Sequence, residues 1–191
     1  MLITHNMKNK KLLLGIAWAW LTCLSANAEV KLPAFFSDGM VMQQQTRANL
    51  WGTATPNAPV KITTSWDKQT YKTIADAKGA WKLALSTPSA GGPYTITFDD
   101  GKLTEIRDIL MGELWLCSGQ SNMEMPMKGF KNQPVENSNT DVMNSRNPQL
   151  RLFTVKRSSS FTPKTDVVGT WQEAVPATVR EFSATAYYFG R

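Results

Sequence analysis

The chain has 191 residues, of which 42% are hydrophobic and 19% charged, the proportions of a folded globular protein rather than a disordered one. Its formal charge of +6 includes Lys8, Lys10 and Lys11, which fall in an acid-free stretch of 28 residues at the start. Without those three, 18 basic residues face 15 acidic ones with no Lys/Arg cluster, which argues against a nucleic-acid-binding protein.

In chain order, residues 1–28 have the features of a secretory signal peptide. Lys8 to Lys11 form a positive start, Leu12 to Leu24 an apolar run, and Ala26-Asn27-Ala28 a small-x-small cleavage pattern. The run is too short to serve as a membrane span. The expectation is an exported protein, periplasmic or extracellular, with no membrane attachment beyond the cleaved signal. Cleavage after Ala28 would remove Cys23 and leave Cys117 alone, unable to form an internal disulfide and expected to pack in a core.

Residues 29–108 alternate in the manner of strands. Val60, Ile62, Thr64 and Trp66 share one face of a pleat, as do Trp81, Leu83 and Leu85, and Tyr94, Ile96 and Phe98. Turn residues separate these runs at Thr55-Pro56-Asn57, at Asp76 to Gly79, from Ser89 to Pro93, and at Asp99-Asp100-Gly101. Short strands at this spacing predict an antiparallel β-sandwich domain. Asp38, Asp99 and Asp100 read as turn carboxylates that accept backbone N–H groups.

At Ile109 the rhythm changes. Ile109 to Cys117 is almost continuously apolar, which predicts a parallel strand covered on both faces and makes Glu113 an acid within it. Ser118-Gly119-Gln120-Ser121 breaks the run, and a helix can open at Asn122. A short helix is expected near Asp141 to Ser145 and a second strand over Leu150 to Val155. An irregular connection follows over Lys156 to Thr170. Val179, Phe182, Ala186 and Phe189 have the spacing of a helix over Thr178 to Arg191. Residues 109–191 thus read as the first, incomplete part of an α/β domain built on a parallel sheet.

Gly119-Gln120-Ser121-Asn122 admits two readings. A serine at a strand-to-helix turn presents its hydroxyl at the end of a sheet, where backbone N–H groups can hold a developing oxyanion. Gly119 would permit close approach of substrate or backbone. Alternatively, Ser121-Asn122-Met123-Glu124 is an S-x-x-E capping box that only satisfies the first amides of a helix. Local spacing is compatible with both. No Cys/His cluster suggests a metal, no glycine-rich phosphate loop is present, and Met123, Met125 and Met127 are expected to pack beneath the segment.

The longer stretch Met111 to Pro126, containing Gly119-Gln120-Ser121-Asn122, resembles the signature of the sialate O-acetylesterase family, SGNH-type hydrolases with a GQSN motif. Leu32-Pro33, Phe36 to Gln43 and Leu50-Trp51-Gly52 are similar to the opening of that family's N-terminal sandwich. Arg151 to Val155, Gly169-Thr170-Trp171, Phe182 to Ala184 and Tyr187 to Gly190 agree further along. The resemblance implies a carbohydrate O-acetylesterase in which Ser121 is the nucleophile. It places Gly119, Gln120 and Asn122 around an oxyanion and substrate pocket. The implied substrate is O-acetylated sialic acid or another acetylated glycan, and no cofactor is needed.

One feature departs from the family. A serine hydroxyl needs a base within hydrogen-bond reach, and family members supply a histidine, oriented by an aspartate, from far downstream. The single histidine here is His5, inside the signal region. The expectation is therefore the front portion of a longer esterase, or a site completed by a separate chain, with this chain alone inactive. The alternative is an exported carbohydrate-binding or interaction module without catalysis.

Overall fold

The computed structural model describes residues 29–191. The expected signal peptide over 1–28, with His5 and Cys23, lies outside the described residues. Two regions follow one another along the chain, and most of the backbone order is sheet.

The first region contains seven strands. They are β1 (Val41–Gln43), β2 (Arg47–Thr53), β3 (Pro59–Thr64), β4 (Thr70–Ile74), β5 (Ala80–Ser86), β6 (Gly91–Asp99) and β7 (Leu103–Gly112). Five make a curled mixed sheet in the order β1-β7-β6-β3-β4, while β2 and β5 form a separate antiparallel ladder. The β1–β7 pair is parallel, with Val41 opposite Leu110 and Gln43 opposite Gly112. The remaining ladders of the sheet are antiparallel.

Alternation in the sequence translates directly into burial here. In β3, Val60, Ile62 and Thr64 are fully enclosed, while Pro59, Lys61 and Thr63 face water. Ile96 and Phe98 of β6 meet them in register, Ile62 opposite Phe98 and Thr64 opposite Ile96. Leu50 and Leu85 from the two-stranded ladder close the same core, joined by Trp81 and Ile109. Fully burying each such aliphatic or aromatic side chain contributes about 1.5–3 kcal/mol. Gly52 in β2 has a specific packing reason: a Cβ there would lie 2.5 Å from the Lys31 carbonyl oxygen and 2.9 Å from the Trp81 ring.

The turn carboxylates behave as expected. Asp76 Oδ1 accepts from the amides of Lys78 at 2.8 Å and Ala80 at 2.9 Å. Asp99 Oδ1 accepts from Gly101 N at 2.9 Å, and Asp38 Oδ1 accepts from Arg107 N at 2.7 Å. Asp100 Oδ2 lies 3.4 Å from Thr55 N.

The apolar run at Ile109 differs from its expectation. Its first four residues complete β7, which pairs parallel with β1 over Leu110 to Gly112 and antiparallel with β6, and in which Ile109 and Met111 are buried. Glu113 to Gln120 belong to no strand, and Leu116 is 91% and Trp115 61% exposed. Cys117 is exposed rather than packed in a core. The physical reason is that β1 ends at Gln43, so the β7 ladder has no partner past Gly112.

The second region contains helix α1 (Ser121–Glu124), helix α2 (Ser138–Met143), strand β8 (Asn147–Phe153), strand β9 (Trp171–Ala174), helix α3 (Pro176–Glu181) and helix α4 (Ala184–Gly190). The expected second strand is present as β8, but it pairs antiparallel with β9, with Leu152 opposite Gln172. β9 lies directly after the segment read as an irregular connection. A second small core gathers Met127, Val142, Leu152, Ala174, Val179, Ala184 and Tyr187.

The helix expected over Thr178 to Arg191 is instead two helices. Phe182 between them is extended (φ −80°, ψ 158°), and Ser183 Oγ caps the second by accepting from Ala186 N at 3.3 Å. The break frees backbone groups for pairing elsewhere. Met127 N donates to the Phe182 carbonyl at 2.9 Å, Lys128 N to that of Arg180 at 3.0 Å, and Ala184 N to that of Met125 at 2.8 Å. At the end of α4, Tyr188 donates to Asp141 Oδ2 at 2.7 Å. Burial, followed by that carboxylate, pushes the phenol up to about 12.

The regions are joined by a buried cation and an aromatic cluster. The Arg151 side chain, 5% exposed, grips Asp108 at 2.6 and 3.2 Å and donates to the Gly39 carbonyl at 3.2 Å. Gly39 (φ +77°) leaves the guanidinium room, since a Cβ there would sit 3.1 Å from Nη1. Trp171 Nε1 donates to the Phe35 carbonyl at 2.8 Å, and the Phe35, Phe153 and Trp171 rings contact one another.

Candidate functional site

The segment between β7 and α1 is guided by side chains where ladder pairing ends. Gln43 Nε2 donates to Glu113 Oε2 at 3.0 Å and Gln44 Nε2 to Oε1 at 2.8 Å. Gln43 Oε1 accepts from Leu114 N at 2.9 Å, and Gln44 Oε1 from Ala90 N at 2.7 Å. Glu113 is thus a solvent-exposed carboxylate held by two amides, not an acid inside a buried strand. The hydrogen bond from Gln43, then that from Gln44, lowers its pKa below the ordinary carboxylate value.

Ser121 is the first helical residue of α1 and is exposed. The capping position belongs to Gln120 (φ −117°, ψ −138°), and no side chain caps this helix. The carbonyl of Gln120 accepts from Met123 N at 3.0 Å and from Glu124 N at 3.1 Å. Glu124 does not reach back to complete a capping box; its carboxylate pairs with Arg157. Of the two readings the sequence left open, the reciprocal S-x-x-E cap is therefore not formed, and the Ser121 hydroxyl is not spent on capping.

The four motif residues Gly119, Gln120, Ser121 and Asn122 are all exposed and consecutive. Gly119 allows the tight approach to α1, because a Cβ there would lie 3.2 Å from Met123 Cβ. Helix α4 anchors the other side of the motif. Thr185 Oγ1 donates to the Asn122 carbonyl at 3.1 Å, and Ser183 Oγ lies 3.4 Å from Met123 Sδ. Met127 is fully buried in the second core, whereas Met123 and Met125 are partly covered.

A cleft of about 1220 Å³ is lined by residues of both regions, among them Phe35, Trp51, Trp115, Phe153, Trp171 and Phe189. Its lining runs through Leu114 to Cys117 and resumes at Met123 and Glu124. The four motif residues do not line it, though Cys117 before them and Met123 after them do. No histidine occurs among the described residues, so none of them offers Ser121 an imidazole. No group of three metal-ligating side chains forms among the described residues.

Sequence reasoning missed the clamp on Glu113, the Glu124–Arg157 pair and the anchoring of Asn122 by Thr185. A glutamine pair at the end of a strand and a threonine in a helix have no distinctive spacing, so only three-dimensional proximity identifies them.

The chain is 28% identical to the sialate O-acetylesterases of Pongo abelii and Homo sapiens, each match covering 87% of this chain and 35% of the relative. The sialate O-acetylesterase of Rattus norvegicus is also 28% identical, over 84% of this chain and 32% of its own. Among solved structures, a carbohydrate acetylesterase from Xanthomonas citri superposes with a TM-score of 0.77 and 35% identity, covering 84% of this chain and 36% of that one. No known protein-family profile matches the sequence. The chain spans about a third of the length of these relatives. The chain is thus similar in sequence to the sialate O-acetylesterases and in fold to a carbohydrate acetylesterase.

Proposed function

We propose that this chain carries the nucleophile segment of an exported, serine-dependent carbohydrate O-acetylesterase. In this reading residues 29–108 are its β-sandwich domain and residues 109–191 begin an SGNH-type α/β domain. The substrate is an acetyl ester on a sugar, O-acetylated sialic acid or another acetylated glycan. The observation that carries the proposal is the Ser121 hydroxyl: exposed, at the first position of a helix that no side chain caps, inside the GQSN motif.

Chemically, Ser121 Oγ would attack the acetyl carbonyl carbon while its proton passes to a base. The carbonyl oxygen becomes an oxyanion, held in part by backbone N–H groups near the motif. Collapse of the tetrahedral adduct breaks the ester bond, releases the sugar with a proton on its oxygen and leaves an acetyl-serine. Water then attacks that ester and releases acetate. A serine hydroxyl is a weak nucleophile without a proton acceptor, and the described residues hold no histidine to serve as one.

Two assays test this. The isolated chain, with 4-nitrophenyl acetate or O-acetylated sialic acid, is expected to show no hydrolysis above buffer that depends on Ser121. Robust turnover abolished by Ser121→Ala would show that the base is already present. In a chimera where residues 29–191 replace the matching third of the Xanthomonas acetylesterase, Ser121→Ala should lower kcat by about 10³-fold or more. Undiminished turnover in that variant would remove Ser121 as the nucleophile.

A further inference from the structure

Helix α1 presents Ser121 on a single turn that cannot hold its own shape. It has four residues, none of them buried, and no side chain caps it. A helix this short is unstable alone, because ordering the first turn costs more than the few hydrogen bonds it closes. The sequence also leaves its main chain one bond short. Glu124 N donates to the Gln120 carbonyl and Met125 N to that of Ser121, both at 3.1 Å. The next bond of this series would run from residue 126 to the Asn122 carbonyl, but residue 126 is proline and has no N–H to give. Met127 N and Lys128 N do not replace it, since they donate to the Phe182 and Arg180 carbonyls at 2.9 and 3.0 Å.

The missing donor comes from another helix. Thr185 Oγ1 donates to the Asn122 carbonyl at 3.1 Å. Thr185 is itself firmly placed, in the first turn of α4 between the buried Ala184 and Ala186, with Ser183 Oγ capping that turn. The other side-chain holds on α1 are weaker. Glu124 pairs with a guanidinium that is 81% exposed, and such surface pairs contribute little. Ser183 Oγ meets only the weak acceptor Met123 Sδ, at 3.4 Å.

We propose that Thr185 is a positioning residue: its hydroxyl takes the place of the amide that Pro126 lacks, fixes the peptide after Asn122, and so sets the direction in which the Ser121 hydroxyl points. Its consequence for catalysis rests on Ser121 being the nucleophile; the hold on the turn does not. Asn122 is exposed, so water can pair its carbonyl once the hydroxyl is gone. Loss of Thr185 should therefore spare the fold and loosen this turn alone.

Thr185→Val removes the hydroxyl and keeps the branched shape, while Thr185→Ser keeps the hydroxyl. In the full chain, amide exchange at Glu124 and Met125 should quicken by about fivefold in the valine variant and hold the native rate in the serine variant. The amides of Val179 in α3 and Tyr187 in α4, which donate to the Val175 and Ser183 carbonyls, should keep their rates in both. Unchanged exchange at Glu124 and Met125, or an equal rise at Val179 and Tyr187, overturns the inference. In the acetylesterase chimera described above, Thr185→Val should lower kcat about tenfold or more with KM within about twofold, and Thr185→Ser should retain most of the native rate. A chimera that Ser121→Ala inactivates and Thr185→Val does not slow would reject the positioning role. One that Ser121→Ala leaves active would reject Ser121 as nucleophile instead. In that case, or if the chimera does not fold, exchange at Glu124 and Met125 decides whether Thr185 holds the turn.

Discussion

Residues 29–112 and residues 113–191 solve the same physical problem to different degrees. The first region pairs its strands in a five-stranded sheet and a ladder, and encloses one core in which Leu50, Val60, Ile62, Leu85, Ile96, Phe98 and Ile109 have no exposed surface. The second region builds a smaller core from short elements and leans on the first through Arg151 and Trp171. It also leaves Leu116, Phe161 and Val168 in water. Pairing alone does not bury a side chain, since Ile74 and Leu103 sit in paired strands of the first region and are 71% and 69% exposed, but along one run the contrast is direct. Where the ladder of β7 stops at Gly112, the same kind of apolar sequence that was core becomes surface.

The largest expected effect contrasts those two environments directly. Phe98→Ala removes a fully buried ring from the centre of the first core and should cost about 3–5 kcal/mol, read as a drop in urea midpoint. Leu116→Ala in the isolated chain should change stability by less than about 0.5 kcal/mol, because that side chain is already solvated. Equal costs at the two positions would mean that the regions are not distinct in the way described.

That contrast also explains what was legible in the sequence. A one-sided sheet prints its period on the chain: Val60-Lys61-Ile62-Thr63-Thr64 alternates because alternate residues face water, and the strands and turns of the first region follow from such runs. Ile109 to Cys117 has no such phase. A continuous apolar run states that both faces want cover without stating where the partner strands come from, so its second half was expected in a strand it does not form. Similarly, Val179, Phe182 and Ala186 keep a helical phase across a break that arises from Phe182 and Ser183 meeting the Pro126 segment, a contact between residues far apart in the chain. At the candidate site, the position of Ser121 at a helix start was readable from glycine and serine chemistry. The absence of a cap was not, because it depends on the helix starting at Ser121 itself, with Gln120 at the capping position, and on Glu124 turning to Arg157.

The next largest effect tests how far the second region depends on the first. Arg151→Ala removes a buried guanidinium with bonds to Asp108 and the Gly39 carbonyl. Asp108 itself is about half exposed and can be rehydrated, so the cost should be about 2–4 kcal/mol rather than that of a stranded buried charge. The loss should be uneven. Amides of β8, β9 and the Met127 segment should lose protection well before those of β3 and β6. A uniform loss across both regions would show that they unfold as a single unit and that the clamp is not what joins them.

The smallest effect concerns the junction itself. Hydrogen bonds from Gln43 and then Gln44 lower the Glu113 pKa, so this carboxylate favours the folded state when ionised. A carboxyl group whose folded pKa lies below its unfolded value contributes stability above the unfolded pKa, and that contribution is lost as pH falls through the folded one. Melting temperature should therefore decline as pH is lowered from about 5 through the acid range, with Glu113 supplying part of the slope. Glu113→Gln replaces one accepting oxygen with a donor that opposes a glutamine amide, so it weakens the clamp and removes the titration together. The variant should melt slightly lower at pH 7 and show a shallower slope between about pH 5 and pH 3. Because Glu113 is exposed, the whole difference should shrink in high salt less than an ion pair's would: its partners Gln43 and Gln44 are neutral, and screening acts on charge rather than on amide donors. An unchanged acid slope would mean that the Leu114 amide bond to Gln43, not the carboxylate, holds the start of the open segment in place.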